Sequence, residues 1–98
     1  MSDMNDLNDL IDGYLHFRSR VYPGRRKHFS KMAKGQNPRF LFITCSDSRV
    51  SPHEFTQTVS GDLFIERSLG NLVPPPGRGE HEAVAAIEYA VTALGVSH

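Results

Sequence analysis

The sequence predicts an α/β fold: a small parallel sheet, with helices ahead of it and a long helix near the C-terminus. Three stretches carry this reading. Phe40-Leu41-Phe42-Ile43 is an apolar run without polar alternation, as expected of a strand covered on both faces. Glu80 to Leu94 places Val84, Ile87, Val91 and Leu94 on one helical stripe, with small Ala83, Ala85, Ala86 and Ala90 allowing close packing. Asp3 to Arg20 spaces Leu7, Leu10, Ile11, Tyr14, Leu15 and Phe17 at three and four residues, the period of an amphipathic helix.

In chain order, Asp3 and Asp6 lie near the positive end of the first helix, which Gly13 weakens slightly. Pro23-Gly24 breaks the chain, and proline suits the first turn of a second helix running to about Lys34, with Phe29 and Met32 as its buried residues. Gly35 is placed to stop that helix in a left-handed conformation. Pro38 precedes the first strand, where a missing N–H costs the ladder little. Pro52-His53-Glu54-Phe55 reads as a brief helical turn opened by proline, and Gly61 leads into a second strand over Asp62 to Glu66. Pattern alone gives weak support for pairing that strand in parallel with the first, because the crossover is short. Arg67 to Val73, three prolines and Gly77-Arg78-Gly79 make a loop stiff at the prolines and permissive at the glycines, suited to shaping a pocket wall. Gly95 ends the last helix, and Val96-Ser97-His98 is expected to enter a further strand. The domain reading is an N-terminal helical arm over 1–35 and a partial α/β domain over 36–98.

The 98 residues allow one small domain or part of a larger one. Formal net charge is zero, which gives no electrostatic footprint for nucleic acid or an acidic membrane surface. Arg25-Arg26-Lys27 with Lys31 and Lys34 reads as a solvated helix face. A single cysteine excludes an intramolecular disulfide and fits a reducing compartment. The polar, acidic start Met-Ser-Asp-Met-Asn-Asp lacks the pattern of a secretory signal, and no run reaches transmembrane length, so a soluble cytoplasmic protein is the expectation.

The chemistry concentrates in Cys45-Ser46-Asp47-Ser48-Arg49, directly after the first strand. Ligands gather at the carboxyl ends of strands in open α/β sheets. Taken alone, Cys45 reads equally as a small buried hydrophobe, and Asp47 with Arg49 as a loop-stabilising ion pair.

The motif resembles the first zinc-site motif of the β-class carbonic anhydrases. The resemblance continues through Gly61-Asp62-Leu63-Phe64, Arg67, Gly70-Asn71 with Val73-Pro74-Pro75, and Ala86-Ile87-Glu88-Tyr89-Ala90-Val91, in order. It implies a parallel-sheet β-carbonic-anhydrase-like fold that is truncated: the remaining two protein ligands of that family, a His and then a Cys, would fall beyond His98. It implies zinc as cofactor, one per complete site, with Cys45 as a ligand and Asp47 either taking a coordination position or held back by Arg49. Zinc suits a thiolate, imidazole and carboxylate set and takes four tetrahedral ligands. With Asp47 held away, the open position admits a water whose pKa falls to about 7, the nucleophile for carbon dioxide.

The resemblance further matches Gln36, nine residues before Cys45, to a glutamine that hydrogen-bonds bicarbonate, usually across a dimer interface, and Phe64, Leu69 and Tyr89 to positions lining the carbon dioxide pocket. Without the family, Gln36 is a surface loop residue and the other three are ordinary core. Family members commonly read Arg-Asn-Ala-Gly-Asn where this chain has Arg67-Ser68-Leu69-Gly70-Asn71, a loss of one amide from the loop. Phe42 stands where a bicarbonate-regulated subgroup carries tryptophan, which points to the accessible-site subgroup. His53, Glu54, His81, Glu82 and His98 are chemically eligible to complete a metal site but are not expected to.

The implied activity is reversible hydration of carbon dioxide to bicarbonate, with this chain supplying the first half of the site. The implied partners are carbon dioxide and bicarbonate together with a homo-oligomer or a longer homologue, and neither nucleic acid nor membrane. The alternative is a catalytically inactive truncated paralogue acting as a dimerising or regulatory module. An anion-binding module using Arg49 and Arg67 is a third reading.

Overall fold

A computed structural model describes residues 3–75 and 81–98. Its elements are α1 (Asp3–His16), α2 (Arg26–Met32), β1 (Phe40–Cys45), α3 (Pro52–Thr56), β2 (Leu63–Ser68) and α4 (Glu82–Thr92). Contacts divide the chain into two compact units, Met1–Gly35 and Gln36–His98.

In the first unit the α-helix ends at His16, earlier than the periodicity suggests, and continues as a wider π-helical turn, Phe17–Val21. The Ser19 hydroxyl donates to the Leu15 carbonyl at 2.8 Å, and the Tyr22 N–H reaches the Phe17 carbonyl, five residues back. Such side-chain competition for carbonyls bends and widens helices. Pro23 and Gly24 fall in a tight 3-10 turn, Tyr22–Arg25, so α2 begins only at Arg26. Phe29 packs its ring on Phe17 and Tyr22, at 5.5 and 5.3 Å between centroids, and Arg25 lies over it at 5.1 Å. Phe29 and Met32 are half-buried rather than buried. Arg26, Lys27, Lys31 and Lys34 line an open groove of about 730 Å³. Gly35 has a φ of 147°, a conformation that favours glycine.

The second unit is built on a two-stranded parallel sheet. Phe40 pairs with Leu63, and the register runs to Cys45 opposite Ser68. The second strand therefore extends two residues past its expected end at Glu66, because the backbone ladder continues through Arg67 and Ser68 whatever their side chains. Register partners share a face, so Leu41, Ile43 and Cys45 lie with Phe64, Glu66 and Ser68, and Phe42 and Thr44 with Ile65 and Arg67. The first face meets α4 through Phe64 and Tyr89, whose ring centroids are 5.7 Å apart. The second meets α3 through Phe42 and Phe55, also at 5.7 Å.

Helix α4 starts at Glu82, capped by His81, whose Nδ1 accepts the Ala83 N–H at 3.1 Å. The expected start at Glu80 and the Gly77-Arg78-Gly79 loop lie outside the described residues. The expected stripe is corrected. Ala83 and Ala90 are fully buried, while Val91 is 57% exposed. The most buried line of the helix thus runs through small residues, while Val84, Ile87 and Leu94 are half-buried. Gly95, at a φ of 67°, ends the helix, and the Val96 N–H folds back to the Ala90 carbonyl at 3.0 Å.

The last residues run along the edge of β1 away from β2. The His98 N–H donates to the Arg39 carbonyl at 3.2 Å, and the Leu41 N–H donates to the His98 carbonyl at 2.8 Å. Bonds that bracket Phe40 in this way are those of a parallel ladder, so His98 sits opposite Phe40, with their rings 5.4 Å apart. The segment expected to enter a further strand thus makes one parallel bridge to β1. An apolar cavity of about 350 Å³, bounded by Phe40, Leu41, Leu63, Thr58 and His98, lies at this end of the strands, opposite to Cys45. Among the described residues, no helix is long and apolar enough to cross a membrane.

Candidate functional site

Strand β1 delivers Cys45 at its carboxyl end, and the chain then turns over Asp47–Val50, closed by the Val50 N–H on the Asp47 carbonyl at 3.0 Å. Aspartate at the first position of such a turn is favoured because its carboxylate can accept a nearby backbone N–H. Here Asp47 Oδ1 accepts the Arg49 backbone N–H at 2.8 Å and Arg49 Nε–H at 3.0 Å, and Oδ2 accepts Arg49 Nη2 at 2.7 Å. The guanidinium fork thus holds both carboxylate oxygens. Arg49 is 87% exposed and Asp47 31%, so water screens the pair and its worth to stability is small. Its effect is orientation.

The Arg49 side chain first, then its backbone N–H, hold the Asp47 carboxyl below the usual carboxylate range, with the Arg67 charge adding to them. The pairing is therefore present above the ordinary aspartate pKa and is lost as pH falls through the depressed value.

The Cys45 sulfur accepts the Gly70 N–H at 3.4 Å. The backbone N–H of Asp47 first, and that of Gly70 next, draw the thiol's pKa below its ordinary value, against desolvation and the Asp47 charge. Gly70 itself adopts a φ of 69°, which a residue with a Cβ disfavours.

Of the residues singled out by sequence, Cys45, Asp47 and Arg49 are brought together, and Phe64 meets Tyr89. Leu69 is 80% exposed and Tyr89 48%, so neither is ordinary core. Gln36 is exposed. Arg67 and Gly70, named from sequence as matching positions of the resemblance and Arg67 also as a candidate anion binder, were given no contact with this loop, and they make one. Gly70 supplies a donor to the sulfur, and Arg67 donates through Nη2 to the Asp47 carbonyl at 2.9 Å and the Val50 carbonyl at 2.8 Å. Both follow from parallel register, which sets the end of β2 beside the end of β1, and no local sequence pattern announces that.

The chain matches the carbonic anhydrase family model over residues 40–98. It belongs to the β-class carbonic anhydrase family. It is 50% identical over 92 residues to a carbonic anhydrase of Synechococcus elongatus, covering 94% of this chain and 34% of that protein. It is 47% identical over 90 residues to a carbonic anhydrase of Pseudomonas aeruginosa, covering 92% of this chain and 41% of that protein. The solved β-carbonic anhydrase CcaA superposes with a TM-score of 0.89 at 44% identity, covering 93% of this chain and 44% of that one. The chain therefore spans less than half the length of each of these relatives.

The fold family implies zinc. Cys45 fits one ligand position, since its sulfur sits among amide donors that favour thiolate, the form that binds metal. A tetrahedral set is not complete, for among the described residues no three His, Cys, Asp or Glu side chains gather to hold a metal ion.

Proposed function

We propose that this chain supplies the first half of a β-class carbonic anhydrase site, acting in the reversible hydration of carbon dioxide to bicarbonate. The observation that carries the reading is the bidentate Asp47–Arg49 pair beside a thiol held toward thiolate, at the carboxyl end of a parallel strand. Cys45 is the zinc ligand of this half, and Arg49 keeps Asp47 turned to itself. What zinc supplies when bound is the lowering of a water's pKa to about 7. Phe64, Leu69 and Tyr89 offer apolar surface for carbon dioxide, and exposed Gln36 is free to serve a site across an interface.

The remaining donors come from polypeptide added beside β1. His98 faces Phe40, and Cys45 lies five residues further along β1, so a strand prolonged from His98 in this register draws level with the sulfur five residues later. Residues leaving the end of that strand then arrive beside Cys45. Association with a further copy or a longer homologue is part of the same reading, and one solved relative from Sordaria macrospora is described as tetrameric.

The test is bound zinc, by elemental analysis after dialysis, for the chain alone and for the chain refolded with the C-terminal portion of the Synechococcus relative. The expected result is little zinc alone, about one zinc per complemented pair, carbon dioxide hydration in that pair, and loss of both with Cys45→Ser. Zinc retained in Cys45→Ser, or a complemented pair without zinc, overturns the assignment.

A further inference from the structure

Arg67 leaves β2 in register with Thr44, yet its guanidinium reaches past the end of β1 to the following turn. A single nitrogen, Nη2, donates to the carbonyl of Asp47 at 2.9 Å and to that of Val50 at 2.8 Å. These carbonyls belong to the first and last residues of the turn, 20 and 17 residues away in sequence. The Asp47 carbonyl also receives the Val50 N–H that closes the turn, so one oxygen takes both the closing bond and the clamp. The turn carries the Asp47–Arg49 pair, in which Arg49 is largely exposed and Asp47 half-buried. A charged donor on a strand is a firm anchor for a mobile loop, because strand and guanidinium are both rigid.

We propose that Arg67 is the positioning residue of the Asp47–Arg49 dyad, tying the turn that bears both side chains to strand β2. The inference deepens the proposed reading of this loop as the working end of the chain, and it rests on that reading for its functional meaning. Its consequence is that the direction in which Asp47 points is set from the second strand as well as by Arg49. Removing the clamp frees the turn while leaving Asp47, Ser48 and Arg49 chemically intact.

The test is residue-resolved hydrogen exchange by NMR on the 98-residue chain, wild type against Arg67→Lys and Arg67→Met. The Arg49 and Val50 amides report the turn, and the Arg49 Nε–H reports the dyad itself. The Phe42 and Phe64 amides report the β1–β2 ladder. Exchange at Arg49 and Val50 is expected to rise about ten-fold or more in Arg67→Met, with the Arg49 Nε–H rising alongside. Arg67→Lys should fall between, since an ammonium can still donate but is shorter and not planar. The ladder amides should not change. A merely structural role raises turn and ladder amides together, and that result overturns the proposal, as does an unchanged turn. If Arg67→Met does not fold, wild type against Arg67→Lys decides the matter by the same comparison of turn with ladder. No metal or activity enters the measurement, so its outcome is separate from that of the zinc test.

Discussion

Glu66 is a carboxylate with 7% exposure whose Oε1 has no hydrogen-bond partner among the described residues. It shares a sheet face with Ser68, whose hydroxyl is likewise buried and unpaired. Burial raises the pKa of Glu66 above its ordinary value, the Glu82 charge adds to this, and His81 opposes it. The sign follows from linkage. A raised folded pKa contributes stability below the ordinary glutamate value, and that contribution is lost as pH rises through the folded value. Glu66→Gln keeps the shape and removes the charge. It should raise stability at pH 7 by on the order of 1 kcal/mol, with the gain shrinking as pH falls through the raised folded value and gone below about pH 4.5, as read by urea unfolding at pH 7 and pH 4. Asp47 shows the opposite case, a carboxylate held ionised by its neighbours. The motif made Cys45, Asp47 and Arg49 legible in sequence because they are adjacent. Nothing local marked Glu66 as buried, since an acidic residue ending a strand pattern usually meets water.

At the scale of elements, α4 illustrates how a period is read correctly and its centre misplaced. The hydrophobic pattern gives the helix, but its fully buried residues are Ala83 and Ala90. A helix packs nearest a sheet where its side chains are smallest, and larger residues then sit on the flanks. Ala90→Leu should therefore cost about 1–3 kcal/mol by overpacking, whereas Ala85→Leu, at an exposed position, should be nearly neutral. Chemical denaturation of both variants checks this, and equal costs would place the contact line elsewhere. The first helix shows a different limit. Its apolar spacing continues to Phe17, but the Ser19 hydroxyl bond to Leu15 and the proline at 23 decide where regular α geometry ends. Hydroxyl–carbonyl competition depends on a rotamer choice that hydrophobic spacing does not record.

For the whole molecule, the controlling fact is the ladder on β1. Past Leu41, alternation of the parallel pattern turns the backbone groups of Ile43 toward the edge opposite β2, next to where His98 bridges to β1. An apolar strand with an open edge invites pairing with another chain. Leu10 at 74% exposure and Tyr14 at 59% present a second apolar surface on α1. The 98-residue chain should therefore self-associate. Sedimentation velocity across a hundred-fold concentration range should show mass rising with concentration, and a sharp, invariant monomer boundary would exclude it.

The sequence by itself determined the family, the α/β class, the order of helices and strands and the loop that holds Cys45, Asp47 and Arg49. These are written in local patterns: an apolar run, a helical period and a short motif of adjacent residues. Tertiary structure decided the register that places Arg67 and Gly70 at the Cys45 loop, the alanine line beneath α4, the burial of Glu66 and the docking of His98 on β1. Each of these depends on which residues from distant parts of the chain face one another. Strand pairing and close packing set that arrangement, and neither leaves a mark within a few residues of any one position.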